Sequence, residues 1–232
     1  MGTLLESFLK EKNLNENVAE KLDLFMKLVL EKNKVMNLTA ITDEEEFEIK
    51  HTIDSLCALE LIEQNSSLAD IGAGGGFPSV PLAIALPSVK ITALDSTAKK
   101  INFIDEAAKN LNLKNLTAVT ARAEDAGRGA LKEKFDFATA RAVAALPILV
   151  EIAAPMLKTG GKMLLYKSSD KELKNSEQAL KKINCALSEI KNYTLPNGDE
   201  RVIIVIEKIA ATPTAYPRQY NAIKKSPLWQ FE

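Results

Sequence analysis

A regular alternation of short apolar runs and helical windows between residues 66 and 208 limits the folds open to this chain. Helical windows lie at about 77–86, 97–111 and 146–157. This alternation predicts a parallel sheet with helices on both faces, and the turn at 196–199 predicts an antiparallel hairpin at one edge. The predicted strands are SLADI (67–71), KITALD (90–95), NLTAVTA (115–121), FDFATA (135–140), GKMLLYK (161–167), ALSEIKNYTL (186–195) and RVIIVIEK (201–208).

The segments on either side of the predicted sheet have a different character. Apolar residues at three- and four-residue spacing predict a helix over 4–36, and a second helix begins near Thr42 or Asp43 and runs to about Gln64. The proline-containing tail after residue 211 is predicted to be an extended arm. We therefore expect an N-terminal helical extension (1–64), a sheet domain (65–210) and an extended C-terminal arm (211–232).

Several classes of protein are excluded by residue content. The longest apolar stretch, 142–157, contains two prolines and a glutamate, so a membrane span is not expected. His51 is the only histidine, which excludes a His-rich metal site and predicts chemistry that does not depend on imidazole. Cys57 and Cys185 are the only cysteines, which is typical of a reducing cytoplasm, and the N-terminus lacks the pattern of a secretory signal.

A glycine-rich turn follows the first predicted strand, in the sequence Asp70-Ile-Gly-Ala-Gly-Gly-Gly-Phe-Pro78. Glycines at this place permit a tight turn and a close approach of backbone N–H groups to a ligand. Asp95 ends the second strand, 23 residues after Gly72, where nucleotide-binding sheets place an acid on ribose hydroxyls. These features predict a nucleoside-cofactor site; the alternative is a turn that serves close packing alone.

The spacing of the glycines distinguishes between cofactors. Gly72, Gly74 and Gly76 form G-x-G-x-G, and Phe77 occupies the last position of the dinucleotide pattern G-x-G-x-x-G. No Lys-Ser/Thr pair follows, so a phosphate-binding P-loop is absent. The pattern resembles motif I of S-adenosylmethionine-dependent methyltransferases. A nicotinamide oxidoreductase is the disfavoured alternative, because fewer than 70 residues follow the fifth strand and leave no room for a separate substrate domain.

Several further segments, in order and spacing, extend this likeness to a family. The chain resembles the glucose-inhibited division protein B family, the bacterial guanine-N7 methyltransferases of small-subunit ribosomal RNA, over roughly residues 30–228. Departures from the family pattern are Ser79, Ser168, Asn221 and Ile223. The segments that carry the resemblance are NLTA (37–40), HTIDSL (51–56), DIGAGGGFPSVPLAIALP (70–87), LDSTAKK (94–100), RAE (122–124), FDFATARAVAAL (135–146), ER (200–201), YPR (216–218) and KSPL (225–228).

The resemblance implies a Rossmann-like class I methyltransferase that uses S-adenosylmethionine. It places Gly72 and Phe77 beside the methionine part of the cofactor and Asp95 on the ribose hydroxyls, and it makes Gly74 a further cofactor-binding residue. Ala123 and Glu124 would flank the adenine, and Arg141 would lie at the mouth shared by cofactor and substrate. The implied substrate is a guanine in a decoding-region loop of 16S ribosomal RNA, as naked RNA or in the small subunit, and we expect a cytoplasmic monomer without a metal.

Guanine N7 carries a lone pair and no proton, so its methylation by in-line displacement needs no protein base. We therefore assign no catalytic residue beyond Arg141 as a positioning candidate.

Basic residues toward the C-terminus are candidate phosphate contacts, whereas His51 is interpreted as structural. A non-catalytic RNA-binding module on the same fold is the alternative that Ser168 and Asn221 leave open. The RNA-binding candidates are Lys167, Arg201, Arg218 and Lys225.

Overall fold

A seven-stranded sheet forms the centre of the computed structural model, which describes residues 2–231. The strand order is β3-β2-β1-β4-β5-β7-β6; β1 to β5 are parallel, and β7 is antiparallel to both of its neighbours. The predicted fold class is confirmed, including the antiparallel edge hairpin. The strands are β1 (Ser67–Ile71), β2 (Lys90–Asp95), β3 (Leu116–Thr120), β4 (Phe135–Arg141), β5 (Leu157–Lys167), β6 (Cys185–Thr194) and β7 (Glu200–Lys208).

Helices cover both faces of the sheet. The helices before β3 share one apolar cluster with one face, and those after β3 share a second cluster with the other face. Successive strand residues therefore bury their side chains on opposite sides, as the two-residue period of a strand requires. The α-helices of the described residues are α1 (Thr3–Glu11), α2 (Glu16–Asn33), α3 (Glu44–Phe47), α4 (Asp54–Leu56), α5 (Ser79–Ala85), α6 (Ala98–Asn110), α7 (Ala123–Arg128), α8 (Leu146–Ala153), α9 (Glu177–Lys182) and α10 (Tyr220–Lys225).

The N-terminal helices differ from the prediction in their continuity. The helix predicted over 4–36 is divided into α1 and α2, because Asn13 takes a left-handed conformation (φ 54°) and Asn15 caps α2 by accepting a hydrogen bond from the Val18 amide. The second predicted helix does begin after Asp43, whose carboxylate accepts from the Glu46 amide. Between α3 and α4 the chain forms a π-helical stretch, Glu48–Ile53, which the sequence pattern did not predict.

The C-terminal tail is also different from the prediction. It contains the short helix α10, whereas we expected an extended arm throughout. The physical reason is burial, because Ile223 of this helix is fully buried in the second apolar cluster, and Trp229 beyond it is also buried there. Two further short helices, α7 and α9, were likewise not predicted, since six-residue segments carry too little periodicity to be recognised.

The strand order places one crevice above the carboxyl ends of the central strands. After β1 the chain goes to β2 on one side, and β4 lies on the other side of β1. Such a reversal leaves an open space between the loops that follow β1 and β4. The glycine-rich turn follows β1, Asp95 ends β2 and Arg141 ends β4, so the topology brings the predicted cofactor-site segments to one edge of the sheet.

Candidate active site

The turn after β1 has a backbone that only glycine accommodates well at its first position. Gly72 has φ +70°, and a Cβ atom there would lie 2.6 Å from Cγ2 of Val143. The amides of Gly72 and Ala73 both donate to the Leu94 carbonyl, at 2.7 and 3.0 Å, which fastens the turn to the end of β2. The absent side chain leaves a narrow cradle between the turn and the loop after β4.

Asp70 lies beneath this turn and is completely buried. Its Oδ2 accepts a hydrogen bond from the Ser79 amide and its Oδ1 accepts one from the Thr139 hydroxyl, each at 3.1 Å. Burial raises the pKa of this carboxyl to about 6, against the opposing effect of these hydrogen bonds. Asp70 thus joins β1, β4 and the start of α5, and it supports the turn from below.

Asp95 presents its carboxylate at the end of β2, on the wall of the crevice. Oδ2 accepts from the Gly74 amide at 3.1 Å, and Oδ1 accepts from the Thr97 amide at 2.8 Å. Each carboxylate oxygen has a second lone pair, so the group retains the capacity to accept two further hydrogen bonds. The carboxylate is therefore fixed in orientation and still able to bind a pair of hydroxyl groups.

The crevice is a cavity of about 780 Å³, which is large enough for a nucleoside-sized ligand. Ala123 and Glu124 contribute the first turn of α7, whose amide groups have no acceptor within the helix. The glycine turn, the Asp95 carboxylate and the first turn of α7 all line this cavity, and together they fit the adenosine part of S-adenosylmethionine. All seven predicted cofactor-binding residues line this cavity, namely Gly72, Gly74, Phe77, Asp95, Ala123, Glu124 and Arg141.

Arg141 connects the sheet to the N-terminal helices. One guanidinium nitrogen, Nη1, donates to Oδ2 of Asp54 and to the Lys50 carbonyl, both at 2.7 Å. The other, Nη2, lies 3.0 Å from Nδ1 of His51. The π-helical stretch supplies Lys50 and His51, and Asp54 begins α4 directly after it; π-turns are frequent at functional sites. Arg141 is thus held by three groups from a segment about 90 residues away.

His51 lies in the wall of the same cavity with both ring nitrogens hydrogen-bonded. Its Nε2 lies 2.6 Å from the Thr39 hydroxyl, and its ring stacks on Phe77 with 4.4 Å between the centroids. Burial, assisted by the charge of Arg141, lowers the pKa of the imidazole to about 3. The ring is therefore neutral at physiological pH, and its contacts are with other residues of the protein; its structural role stays a prediction.

The four predicted RNA-contacting cations are not at one place. Lys167 and Arg201 line the cavity, where Lys167 is paired with Glu172 at 2.8 Å and Arg201 with Asp199 at 2.8 Å. Arg218 and Lys225 do not line it. Arg218 binds the fully buried Glu151 through Nη2 at 2.5 Å and Nε at 2.8 Å, and it also donates to the Ser226 carbonyl.

The structure adds cavity residues to which the sequence assigned no role. Tyr193 donates from its hydroxyl to Oδ1 of Asp54 at 2.7 Å, and burial raises the pKa of this phenol well above its usual value. Thr39 and Asp54 lie in the motifs NLTA (37–40) and HTIDSL (51–56), but nothing in the sequence indicated which residues they contact. The remaining additions of interest are Lys100, Arg122, Val143, Tyr166 and Tyr220.

Among residues 2–231, none of the helices is both long enough and apolar enough to cross a lipid bilayer. Within the same range, no three or more His, Cys, Asp or Glu side chains are grouped as metal ligands.

Solved structures with a similar architecture identify the class of fold. TYW2 from P. horikoshii, in complex with MeSAdo, is similar with a TM-score of 0.57 and 13% identity, covering 69% of this chain and 63% of that chain. A SAM-dependent methyltransferase from Aquifex aeolicus is similar with a TM-score of 0.53 and 14% identity, covering 72% and 94%. The fold is therefore that of the Rossmann-like S-adenosylmethionine-dependent methyltransferases.

Sequence relatives narrow the class to a family. The ribosomal RNA small subunit methyltransferase G of Leuconostoc citreum is 43% identical over 222 residues, which cover 93% of each chain. The family model described as rRNA small subunit methyltransferase G matches residues 18–204. The chain belongs to this family of ribosomal RNA methyltransferases. The predicted family and the predicted cofactor, S-adenosylmethionine, are confirmed, and the oxidoreductase alternative is set aside.

Proposed function

We propose that this protein methylates N7 of a guanine in a decoding-region loop of 16S ribosomal RNA, with S-adenosylmethionine as donor and without a protein general base. The observation that carries the proposal is the state of the polar groups at the mouth of the cavity. His51 is neutral with both nitrogens bonded, and the two oxygens of Asp54 accept hydrogen bonds from Arg141 and Tyr193.

A general base for neutral pH needs a pKa near 7 and a free lone pair that faces the substrate. The pKa of His51 is about 3, and Arg141 occupies the lone pair of its Nδ1 atom. The phenol of Tyr193 titrates far above neutral pH and donates its proton to Asp54. These groups suit a nucleophile that has no proton to lose, and guanine N7 is such an atom.

The residues of the chain would then bind and orient the reactants. S-adenosylmethionine supplies an electrophilic methyl group on a sulfonium. We propose that Asp95 accepts hydrogen bonds from the ribose hydroxyls, that Ala123 and Glu124 border the adenine, and that the turn from Gly72 to Gly76 admits the methionine part. Arg141, fixed by Asp54, would hold the mouth of the cavity in shape, and such positioning can contribute up to about 7–11 kcal/mol to catalysis.

Access to N7 limits the substrate to an open region of RNA. N7 faces the major groove, which is deep and narrow in A-form helices, so a guanine in a regular stem would be poorly reachable. We therefore propose a loop or a disrupted stem as the target. Lys167, Arg201, Arg218 and Lys225 remain predicted phosphate contacts, although carboxylates already neutralise the first three of them.

The proposal is tested with a 16S RNA fragment in which guanosine is replaced by 7-deazaguanosine. This replacement changes N7 to a C–H group and leaves the Watson–Crick edge intact. We expect labelled methyl transfer to the normal RNA and none to the substituted RNA, with equal binding of both. Transfer to the 7-deaza RNA would show that another atom is methylated, and absence of transfer to either RNA would favour a non-catalytic RNA-binding module.

A further inference from the structure

Six Lys and Arg residues line the cavity, and they fall into two groups. Four of them are within ion-pair distance of a carboxylate; among the residues that the structure describes, the side chains of Lys100 and Arg122 have no such partner and no hydrogen bond. The paired residues and their carboxylates are Lys50 with Glu46, Arg141 with Asp54, Lys167 with Glu172, and Arg201 with Asp199.

Lys100 and Arg122 lie in the segments that follow two neighbouring strands, β2 and β3. Lys100 is in the first turn of α6, which follows β2, and Arg122 caps α7, which follows β3. Asp95 is opposite Thr120 in the sheet, and its carbonyl accepts from the Ala121 amide at 3.1 Å, so the segments that carry the two cations are adjacent. Lys167 and Arg201 belong instead to β5 and β7, on the opposite side of the crevice.

The two free cations do not balance an acid of the cavity. Among the acids that line the cavity, Asp95 is nearest in sequence to Lys100 and Glu124 is nearest to Arg122. Neither forms an ion pair with these cations in the described part of the chain. The adenosine part of the cofactor has no negative charge, and the carboxylate of its methionine part is proposed to lie at the turn after β1. Lys100, which is half-buried, and Arg122, which is exposed, are therefore solvated cations at the edge of the cavity that are free to bind an anion.

We propose that Lys100 and Arg122 bind a backbone phosphate of the substrate RNA, beside the nucleotide that enters the cavity. The inference rests on the proposed function, because it takes RNA as the substrate. Arginine matches phosphate with a planar fork of donors, and lysine adds a compact charge. A phosphate at this place displaces only water and counterions, whereas at Lys167 or Arg201 it must compete with a carboxylate that is already bound.

The chain offers a matched control in Lys99, the neighbour of Lys100. Lys99 is exposed and does not line the cavity. The test compares the wild type with Lys100→Gln, Arg122→Gln, the double variant and Lys99→Gln. For each protein we would measure the affinity for a single-stranded 16S RNA fragment at several salt concentrations, the affinity for S-adenosylmethionine, the rate of methyl transfer and the melting temperature.

We expect the double variant to reduce the slope of log affinity against log salt by about 0.7, the value for one phosphate, and each single substitution to reduce it by less. Lys99→Gln should leave the slope unchanged, and Lys100→Arg should keep the slope of the wild type. Cofactor affinity and melting temperature should be unchanged in all variants. The proposal is overturned if the double variant keeps the wild-type slope, or if it loses cofactor affinity as much as RNA affinity.

The proposed reaction is tested separately, by the comparison with 7-deazaguanosine RNA. If the wild type binds the RNA but methylates an atom other than N7, the proposed reaction fails, while the slopes still decide whether the two cations contact phosphate. If the wild type does not bind RNA at all, both proposals fail.

Discussion

The guanidinium of Arg141 donates a hydrogen bond to Nδ1 of His51, over 3.0 Å. Because arginine has no acceptor, this contact fixes the tautomer of the imidazole. Nδ1 must accept, so the ring proton is on Nε2 and is donated to the Thr39 hydroxyl, whose oxygen also accepts from the Ile41 amide. Burial and this arginine together keep the only histidine neutral, although it lies in the wall of the cavity.

The first prediction concerns the dependence of methyl transfer on pH. Because His51 is neutral from pH 4 upward and N7 has no proton, the single-turnover rate should be nearly flat between about pH 6.5 and 8.5. His51→Gln should keep this flat profile with a modest loss of rate, since an amide oxygen can accept from Arg141. A rate that rises tenfold per pH unit in the wild type and collapses in His51→Gln would contradict a base-free reaction.

The second prediction concerns stability in acid. The pKa of His51 is about 3 in the folded protein and about 6.5 in the unfolded chain. Between these values the unfolded chain binds a proton that the folded protein does not, so stability falls as the pH falls through this window. His51→Gln lacks this loss, and between pH 7 and pH 4 it should retain up to about 3 kcal/mol more of its unfolding free energy than the wild type.

Urea unfolding at the two pH values measures this difference. Asp70 acts in the opposite direction, because its raised pKa of about 6 lets the folded protein hold a proton that the unfolded chain releases above pH 4. Asp70 is present in both proteins, so it cancels in the comparison. Equal losses of stability in the wild type and His51→Gln would mean that the imidazole is charged in the folded protein.

The third prediction compares two glycines with similar backbones and different surroundings. Gly72 and Gly160 both have positive φ, +70° and +84°, but only at Gly72 would a Cβ atom meet another group, Val143. Gly160→Ala should lose only about 1–2 kcal/mol of stability through backbone strain and should bind cofactor normally. Gly72→Ala should lose more stability and most of its affinity for S-adenosylmethionine, as measured by calorimetric titration.

A double variant tests the cause of that loss. Shortening the neighbour in Gly72→Ala/Val143→Ala removes the close contact and should recover part of the stability, though not the backbone strain. If Gly72→Ala binds the cofactor as well as Gly160→Ala does, the turn is not part of the cofactor site.

The fourth prediction concerns Asp95. A hydrogen bond from a ribose hydroxyl to a carboxylate is worth about 1.5–3 kcal/mol. The loss of even one of the two bonds in Asp95→Ala should therefore weaken cofactor binding at least about tenfold. Asp105→Ala is the control, because Asp105 is an exposed carboxylate on α6 that is paired with Lys109. Both variants should remain folded in thermal melts. Unchanged affinity in Asp95→Ala would remove this carboxylate from the cofactor site.

The fifth prediction concerns the ion pair between Arg218 and Glu151. Glu151 is fully buried, so Arg218→Leu leaves an uncompensated charge inside the protein and should lower the unfolding free energy by about 3–5 kcal/mol. The double variant Arg218→Leu/Glu151→Leu should recover most of this loss. Breaking the exposed pair of Lys181 and Glu177 should leave stability nearly unchanged.

Urea unfolding of these variants also addresses the sequence-based role of Arg218. If Arg218→Leu is as stable as the wild type but binds RNA weakly, the guanidinium serves the RNA and its contact with Glu151 is incidental. A large loss of stability in the single variant and its recovery in the double variant would instead define the pair as the anchor of the C-terminal tail.

The sequence by itself determined the class of fold and the segments that form the cavity. Apolar runs of strand length, separated by helical windows, require a parallel sheet, and in such a sheet the glycine turn after β1 and Asp95 at the end of β2 must meet at one edge. These features depend on residues close together in the chain, where period and spacing are direct consequences of backbone geometry. Motifs in the same order also identified the family.

Only the tertiary structure decided which side chains are free to act. Arg141 was predicted at the mouth of the cavity, but its bonds to His51 and Asp54 join residues about 90 positions apart. Arg218 and Arg122 look alike as surface cations in the sequence, yet one is bound to a buried carboxylate and the other has no partner in the described structure. Whether a charge is neutralised depends on which distant segments pack beside it, and no local pattern of residues carries that information.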